Sequence, residues 1–149
     1  MQLAVDIQIS APRAKVWAAI TDIENCTDMI SSIIDLDILN LPTDTIVDLK
    51  WKETRKMFGK EATETMWITD FVENEYYCTR AESHGSVYIT KFSLKEVDGI
   101  TRLTMSFTAE AQSIFVKMIS TIMSLFIENA IKKELFKDLV DIKKYVEKS

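Results

Sequence analysis

Residues 88–109 read YITKFSLKEVDGITRLTMSFTA and contain the clearest structural signal in the chain. An Asp-Gly pair between two alternating runs is typical of a tight β-hairpin, because both turn positions require a positive φ. A turn at Asp98-Gly99 pairs Leu94 with Leu103, and in that register the apolar residues of both strands share one face. That face carries Tyr88, Thr90, Phe92, Leu94, Leu103, Met105, Phe107 and Ala109. The stretch therefore predicts an antiparallel hairpin with one buried side.

Two further glycines extend the same face to earlier strands. A turn at His84-Gly85 and another at Phe58-Gly59 keep the apolar alternation in phase from strand to strand. The resulting pairs are Ala81 with Tyr88, Thr79 with Thr90, Tyr77 with Phe92, Trp51 with Met66 and Leu49 with Ile68. Six strand-like runs between residues 33 and 111 are therefore predicted to form an antiparallel meander with one inner face. His84 itself is predicted to be a surface turn residue.

The two ends of the chain complete the predicted architecture. Alternation over residues 3–9 indicates a first strand, and helical signals follow at about 12–22 and 25–30. One long helix is predicted over about 113–147, with Ser113 as its candidate cap and a length of roughly 50 Å. The fold class is thus α+β: a curved seven-stranded antiparallel sheet wraps around a long C-terminal helix, with two short helices after strand 1.

The front of the long helix is unusually apolar. Residues 114–127 are interrupted only by Lys117, Ser120, Thr121 and Ser124. Fourteen residues are fewer than the ~20 that span a bilayer, so no stable membrane insertion is predicted. We expect this segment to be covered, either by residues 26–36 acting as a lid, by a ligand, or by a second copy of the chain in a homodimer.

Composition excludes several classes of function. A length of 149 residues predicts one domain over 1–149, and a net charge of −5 argues against a nucleic-acid partner. Cys26 and Cys78, with His84 as the one histidine, offer too few ligands at suitable spacing for a metal site. Two free thiols and the absence of a signal-like start indicate a reducing, cytoplasmic setting. No metal and no cofactor are predicted.

Two stretches carry a family resemblance. Residues 5–17, VDIQISAPRAKVW, resemble the start of START-like (SRPBCC) proteins, in which a strand ends at Ala-Pro and a helix carries Val-Trp. Residues 51–64, WKETRKMFGKEATE, are similar to polyketide cyclase/dehydrase-like members of that superfamily. The resemblance covers essentially the whole chain and implies a helix-grip fold that encloses an apolar cavity for a lipid, sterol, polyketide or hormone. Gly59 stands alone, so the glycine-rich loop of the plant hormone-binding branch is missing.

The candidate cavity residues come from the inner sheet face and the facing side of the long helix. On the sheet they are Trp51, Met66, Tyr77, Tyr88, Phe92, Met105 and Phe107, and on the helix Met118, Ile122 and Met123, with Ile119 and Phe126 beside them. Each of these residues taken alone also fits a plain core. As a set they favour a cavity, because methionine adapts to varied apolar surfaces.

Three charged residues interrupt the inner face. The predicted register places Glu53 directly opposite Glu64, with Arg55 as a diagonal neighbour. Two facing carboxylates repel unless a cation bridges them or one keeps its proton. The trio therefore either orients the polar end of a ligand, acts as general acid and base, or forms a structural ion network at a half-solvated rim of the sheet.

Three functions remain open from the sequence. The first is binding or transport of an apolar small molecule, such as a lipid or a polyketide, without catalysis. The second is a polyketide cyclase or aromatase, for which Glu53, Glu64, Tyr77 and Tyr88 would supply the acid and base groups. The third is an assembly protein, similar to the accessory proteins of carbon-monoxide dehydrogenase, in which the apolar segment 114–127 docks a partner.

Overall fold

The computed structural model describes residues 1–83, 85–111 and 121–149, with all side chains except those of residues 111 and 121–124. His84, Ser113, Met118 and Ile119 lie outside the described residues, as do the side chains of Ile122 and Met123. In chain order the elements are β1 (Gln2–Ile9), α1 (Arg13–Thr21), α2 (Cys26–Met29), β2 (Ile33–Asn40), β3 (Lys50–Met57), β4 (Lys60–Val72), β5 (Tyr76–Ser83), β6 (Ser86–Val97), β7 (Ile100–Ala111) and α3 (Thr121–Lys148). This order confirms the predicted α+β architecture with its long C-terminal helix.

The seven strands form one antiparallel sheet in the order β1-β7-β6-β5-β4-β3-β2. The registers predicted from the glycine turns are confirmed, since Leu94 pairs with Leu103 and Trp51 with Met66. At the turn between β6 and β7, Asp98 and Gly99 have φ angles of 52° and 79°, as a two-residue hairpin requires. A register shift after Ile68 in β4 introduces a bulge, and bulges bend a strand and increase its twist. The sheet is curved.

The short helices bring apolar side chains to the core. In α1 the buried residues are Val16, Trp17 and Ile20, and Ile20 lies about one helical turn after the other two. Pro12 occupies the N-cap position of α1 and no side chain caps it. A single 3-10 turn at Ile23–Asn25 then leads into α2, whose Cys26 and Met29 are buried. Residues 26–36, the predicted lid, therefore form α2, a three-residue loop and the beginning of β2.

The long helix α3 is fixed to the sheet through its second half. Leu135, Leu139, Ile142 and Val146 are all buried, as an amphipathic repeat predicts. The carboxylate of Asp141 accepts hydrogen bonds from the backbone N–H and the hydroxyl of Ser31, at 3.0 and 2.8 Å. Lys143 Nζ donates to the carbonyl of Gln8 at 2.8 Å. These polar contacts connect α3 to β1 and to the loop after α2.

The described side chains at the end of the apolar front segment are exposed in the single chain, so residues 26–36 do not cover them, and cover by a ligand or by a second copy of the chain stays a prediction. Phe126 is 75% exposed, and Leu125 is 55% exposed. Phe126 lies five positions before the inward-facing Ile131, which turns it about 140° around the helix, so it cannot oppose the sheet. None of the described helices is both long enough and apolar enough to cross a membrane.

Candidate functional site

A pocket of about 340 Å³ lies between the sheet, the short helices and α3. Ligand pockets usually measure ~300–1,000 Å³, so this volume suits a small ligand. Ten of the predicted site residues line it: Trp51, Glu53, Arg55, Glu64, Met66, Tyr77, Tyr88, Phe92, Met105 and Phe107. The other three, Met118, Ile122 and Met123, fall outside the described side chains. Whether a ligand contacts any of these residues remains a prediction.

The structure adds lining residues that the sequence analysis did not assign to the pocket. The short helices and the following loop contribute Ile20, Ile23, Cys26, Met29, Ile30 and Ile33, while α3 contributes Ile131, Leu135, Asp138 and Ile142. The residues from α3 share one helical face, because they recur at spacings of three and four positions. That periodicity was visible in the sequence, but the tertiary partner of the face was not.

The aromatic part of the wall is held by ring contacts. Tyr77 packs between Trp17 and Phe92, with ring centroids 5.9 and 5.2 Å away. Tyr88 stacks on Phe107 at 5.8 Å. Such pairs contribute about 0.5–1.5 kcal/mol beyond their buried area, so they restrict ring rotation and give the pocket a defined shape.

A buried ion cluster interrupts this apolar wall. Arg55 donates from Nε to Glu53 Oε2 at 3.2 Å and from Nη1 to Asp138 Oδ2 at 2.8 Å. Trp51 Nε1 donates to Glu53 Oε1 at 3.4 Å. Glu53 and Arg55 point to the same face because they are two positions apart in β3. The cluster of Glu53, Arg55 and Asp138 therefore joins the sheet to α3.

This geometry corrects the predicted trio. The carboxylate that meets Arg55 from another element is Asp138, and Glu64 lines the pocket opposite Glu53 in the confirmed register. The side chains of Arg55, Glu53 and Asp138 are 17%, 11% and 1% exposed. Glu53 and Arg55 do form an ion network, as one of the three alternatives predicted, but they are buried and not half-solvated.

Asp138 is the functional candidate that the sequence analysis missed. It lies three positions after Leu135 and four before Ile142, so it belongs to the buried face of α3. Its Oδ1 atom is buried and has no hydrogen-bond partner among the described residues. Burial raises the pKa of Asp138 from 3.8 to about 6, although Arg55 opposes this effect. The sequence signal that could have identified Asp138 is its position on the same helical face as the apolar residues Leu135 and Leu139.

The buried thiol and phenol near the cluster are poor reactive groups. Burial, assisted by Glu53 and Asp22, raises the pKa of Cys26 to about 12, so the thiol stays protonated at neutral pH. Burial likewise raises the pKa of Tyr77 well above its usual value. The Tyr77 hydroxyl donates to the carbonyl of Ile20 at 3.0 Å. Both cysteines are free, with Cys26 buried and Cys78 partly exposed, as predicted.

A family model matches most of the sheet and the front of the long helix. The model is described as Domain of unknown function (DUF3284), and it matches residues 37–128. The chain belongs to the DUF3284 family. No curated protein sequence matches this DUF3284 protein significantly.

Among the described residues, no group of three or more His, Cys, Asp or Glu side chains is arranged to hold a metal ion.

Solved structures with the same architecture cover nearly the whole DUF3284 chain. A START superfamily protein from Mycobacterium smegmatis aligns with a TM-score of 0.82 at 14% identity, over 99% of this chain and 97% of that one. The Zhui aromatase/cyclase from Streptomyces aligns at 0.77 and 14% identity, over 99% and 93%. A conserved protein from Geobacillus kaustophilus aligns at 0.74 and 17% identity, over 100% and 97%. These likenesses confirm the START-like fold that residues 5–17 and 51–64 predicted.

Proposed function

We propose that this DUF3284 protein binds an apolar small molecule in the pocket between the sheet and α3. The observation that carries the proposal is a pocket of about 340 Å³ with a largely apolar wall, into which the ion cluster of Glu53, Arg55 and Asp138 brings charged groups. Small-molecule sites commonly combine an apolar lining with a few placed polar groups that orient the ligand. Protein interiors otherwise rarely hold voids larger than a water molecule.

A cyclase-type enzyme is the second candidate function, and Asp138 is the observation that favours it. A carboxyl group with a pKa of about 6 suits general acid-base chemistry near neutral pH. Among the predicted suppliers of acid and base groups, Tyr77 is weakened as a candidate, because its hydroxyl is bonded to Ile20. Binding is the better supported function, since Cys26 stays protonated and Arg55 already holds Asp138 in an ion pair.

Substitution of Phe107 by tryptophan tests the binding proposal. Phe107 lines the pocket and stacks on Tyr88, so a larger ring should occupy space that a ligand needs. We expect Phe107→Trp to weaken binding of the neutral fluorescent probe N-phenylnaphthylamine at least about tenfold, while lowering the free energy of unfolding by less than ~1 kcal/mol. Probe titration and denaturant unfolding measure the two quantities.

Phe71→Trp provides the matched control. Phe71 packs against Trp17 with a centroid distance of 6.4 Å and does not line the pocket. We expect this variant to retain the probe affinity of the parent. A parent protein that does not bind the probe, combined with a loss of several kcal/mol in Phe107→Trp, would show that the space is closed by packing and would overturn the proposal.

A further inference from the structure

The ion cluster beside the pocket is unequal in sign. It holds two carboxyl groups, those of Glu53 and Asp138, and the single guanidinium of Arg55. Arg55 directs its Nε to Glu53 and its Nη1 to Asp138, so both partners share a single positive charge. An anionic ligand group placed there would meet an excess of negative charge in a poorly solvated site.

One atom in this cluster has an unmet hydrogen-bonding requirement. Asp138 is 1% exposed, and its Oδ2 accepts from Arg55 while its Oδ1 accepts from no described residue. A buried acceptor without a donor destabilises the fold, so a ligand that donates a hydrogen bond to Oδ1 would relieve this cost on binding. A cationic donor would gain more, because hydrogen bonds between ionised groups are stronger.

We propose that the ligand of this pocket is an amine, with an apolar body and one protonated amino group that donates to Asp138 Oδ1. This inference rests on the proposed binding function and names the chemical class of its ligand. The amino group lies in the field of Asp138 and Glu53, and the body contacts the apolar wall of Met66, Phe92 and Met105. An alcohol with a chain of equal length supplies the hydrogen-bond donor without the positive charge. A fatty carboxylate supplies neither the donor nor the positive charge.

A competition series separates these three ligand classes. Decylamine, decanol and decanoate, each below its micelle-forming concentration, are titrated against bound N-phenylnaphthylamine near neutral pH, where the amine is protonated. We expect decylamine to displace the probe at a concentration about tenfold lower than decanoate, with decanol between them. In Asp138→Asn decylamine should lose most of its advantage over decanol, so that the two displace the probe at similar concentrations, since the anionic acceptor is lost.

Two further variants complete the test. Glu82→Gln removes a surface charge that pairs with Arg80 outside the pocket, and it should leave the order of the three competitors unchanged. Glu53→Gln provides a second removal of pocket charge should Asp138→Asn fail to fold, and it should also reduce the preference for decylamine. If the probe binds and decanoate displaces it as well as decylamine does, the amine inference is wrong although the binding proposal stands. If the probe does not bind the parent protein, the binding proposal itself fails.

Discussion

Replacement of Arg55 by methionine should lower the free energy of unfolding by about 3–5 kcal/mol. The substitution leaves Glu53 and Asp138 as buried carboxylates without the cation that both contact, and breaking a buried ion pair on one side typically costs this much. Adding Asp138→Asn should restore part of the lost unfolding free energy, because it removes one of the two carboxylates that Arg55 no longer neutralises. Denaturant unfolding of the two single variants and the double variant gives the coupling energy.

Arg80→Met is the control for the loss of an arginine from a strand. Arg80 and Glu82 form an ion pair at 2.8 Å, but their side chains are 38% and 55% exposed. An exposed pair contributes ~0–1 kcal/mol, so this variant should unfold close to the parent. Additive effects of Arg55→Met and Asp138→Asn would show that the two side chains do not interact, and would contradict the buried ion cluster.

The second large effect concerns the dependence of stability on pH. Asp138 has a pKa of about 6 in the folded protein, against 3.8 as its ordinary value. Between these values the folded state holds a proton that the unfolded state has released, so this residue's contribution to stability falls as the pH rises and is constant above about 6. A shift of about two pKa units corresponds to roughly 3 kcal/mol.

Asp138→Asn isolates this contribution from those of the other acidic residues. The charged and titratable groups that act on Asp138 or respond to it are Arg55 and Glu53 from β3, Cys26 from α2 and Asp141 from α3 itself. The asparagine variant lacks the titration, so the difference in unfolding free energy between variant and parent should shift by up to about 3 kcal/mol in favour of the variant as the pH rises from about 4 to 7, whatever the difference is at pH 4. If the free energies of unfolding of parent and variant differ by the same amount at all pH values, Asp138 titrates with an ordinary pKa and this prediction is wrong.

The sheet could be derived from the sequence because its turns are local signals. The glycines at positions 59, 85 and 99 each have a positive φ, and a turn of known length fixes which residues face each other. Leu94 and Leu103 could be paired in this way, and so could Glu53 and Glu64. Alternation then assigned one side of each strand to the interior.

The partners of α3 could not be derived in the same way. Sequence spacing defines the register between two strands, but it does not define how a helix is placed on a sheet. The contact between Arg55 and Asp138 therefore depends on how α3 packs against the strands. A single acid among the many charged residues of an amphipathic helix is easily taken for part of the solvated face, which is why Asp138 was not assigned to the site. Phe126 was predicted to face the sheet because it is apolar. In a segment that is apolar on nearly all sides, this property does not determine which face of the helix packs against the sheet.

The pairing of β1 with β7 also affects synthesis of the chain. These two strands bond along their whole length, from Gln2 with Thr108 to Ile9 with Thr101, although the paired residues are 92 to 106 positions apart in the chain. On the ribosome, β1 emerges first and its partner emerges about a hundred residues later, so β1 must wait without a bonding neighbour. The β2–β7 meander can form progressively from adjacent hairpins, whereas β1 joins the sheet late. While translation proceeds, β1 therefore keeps the unpaired backbone groups of an open strand edge, which favour aggregation.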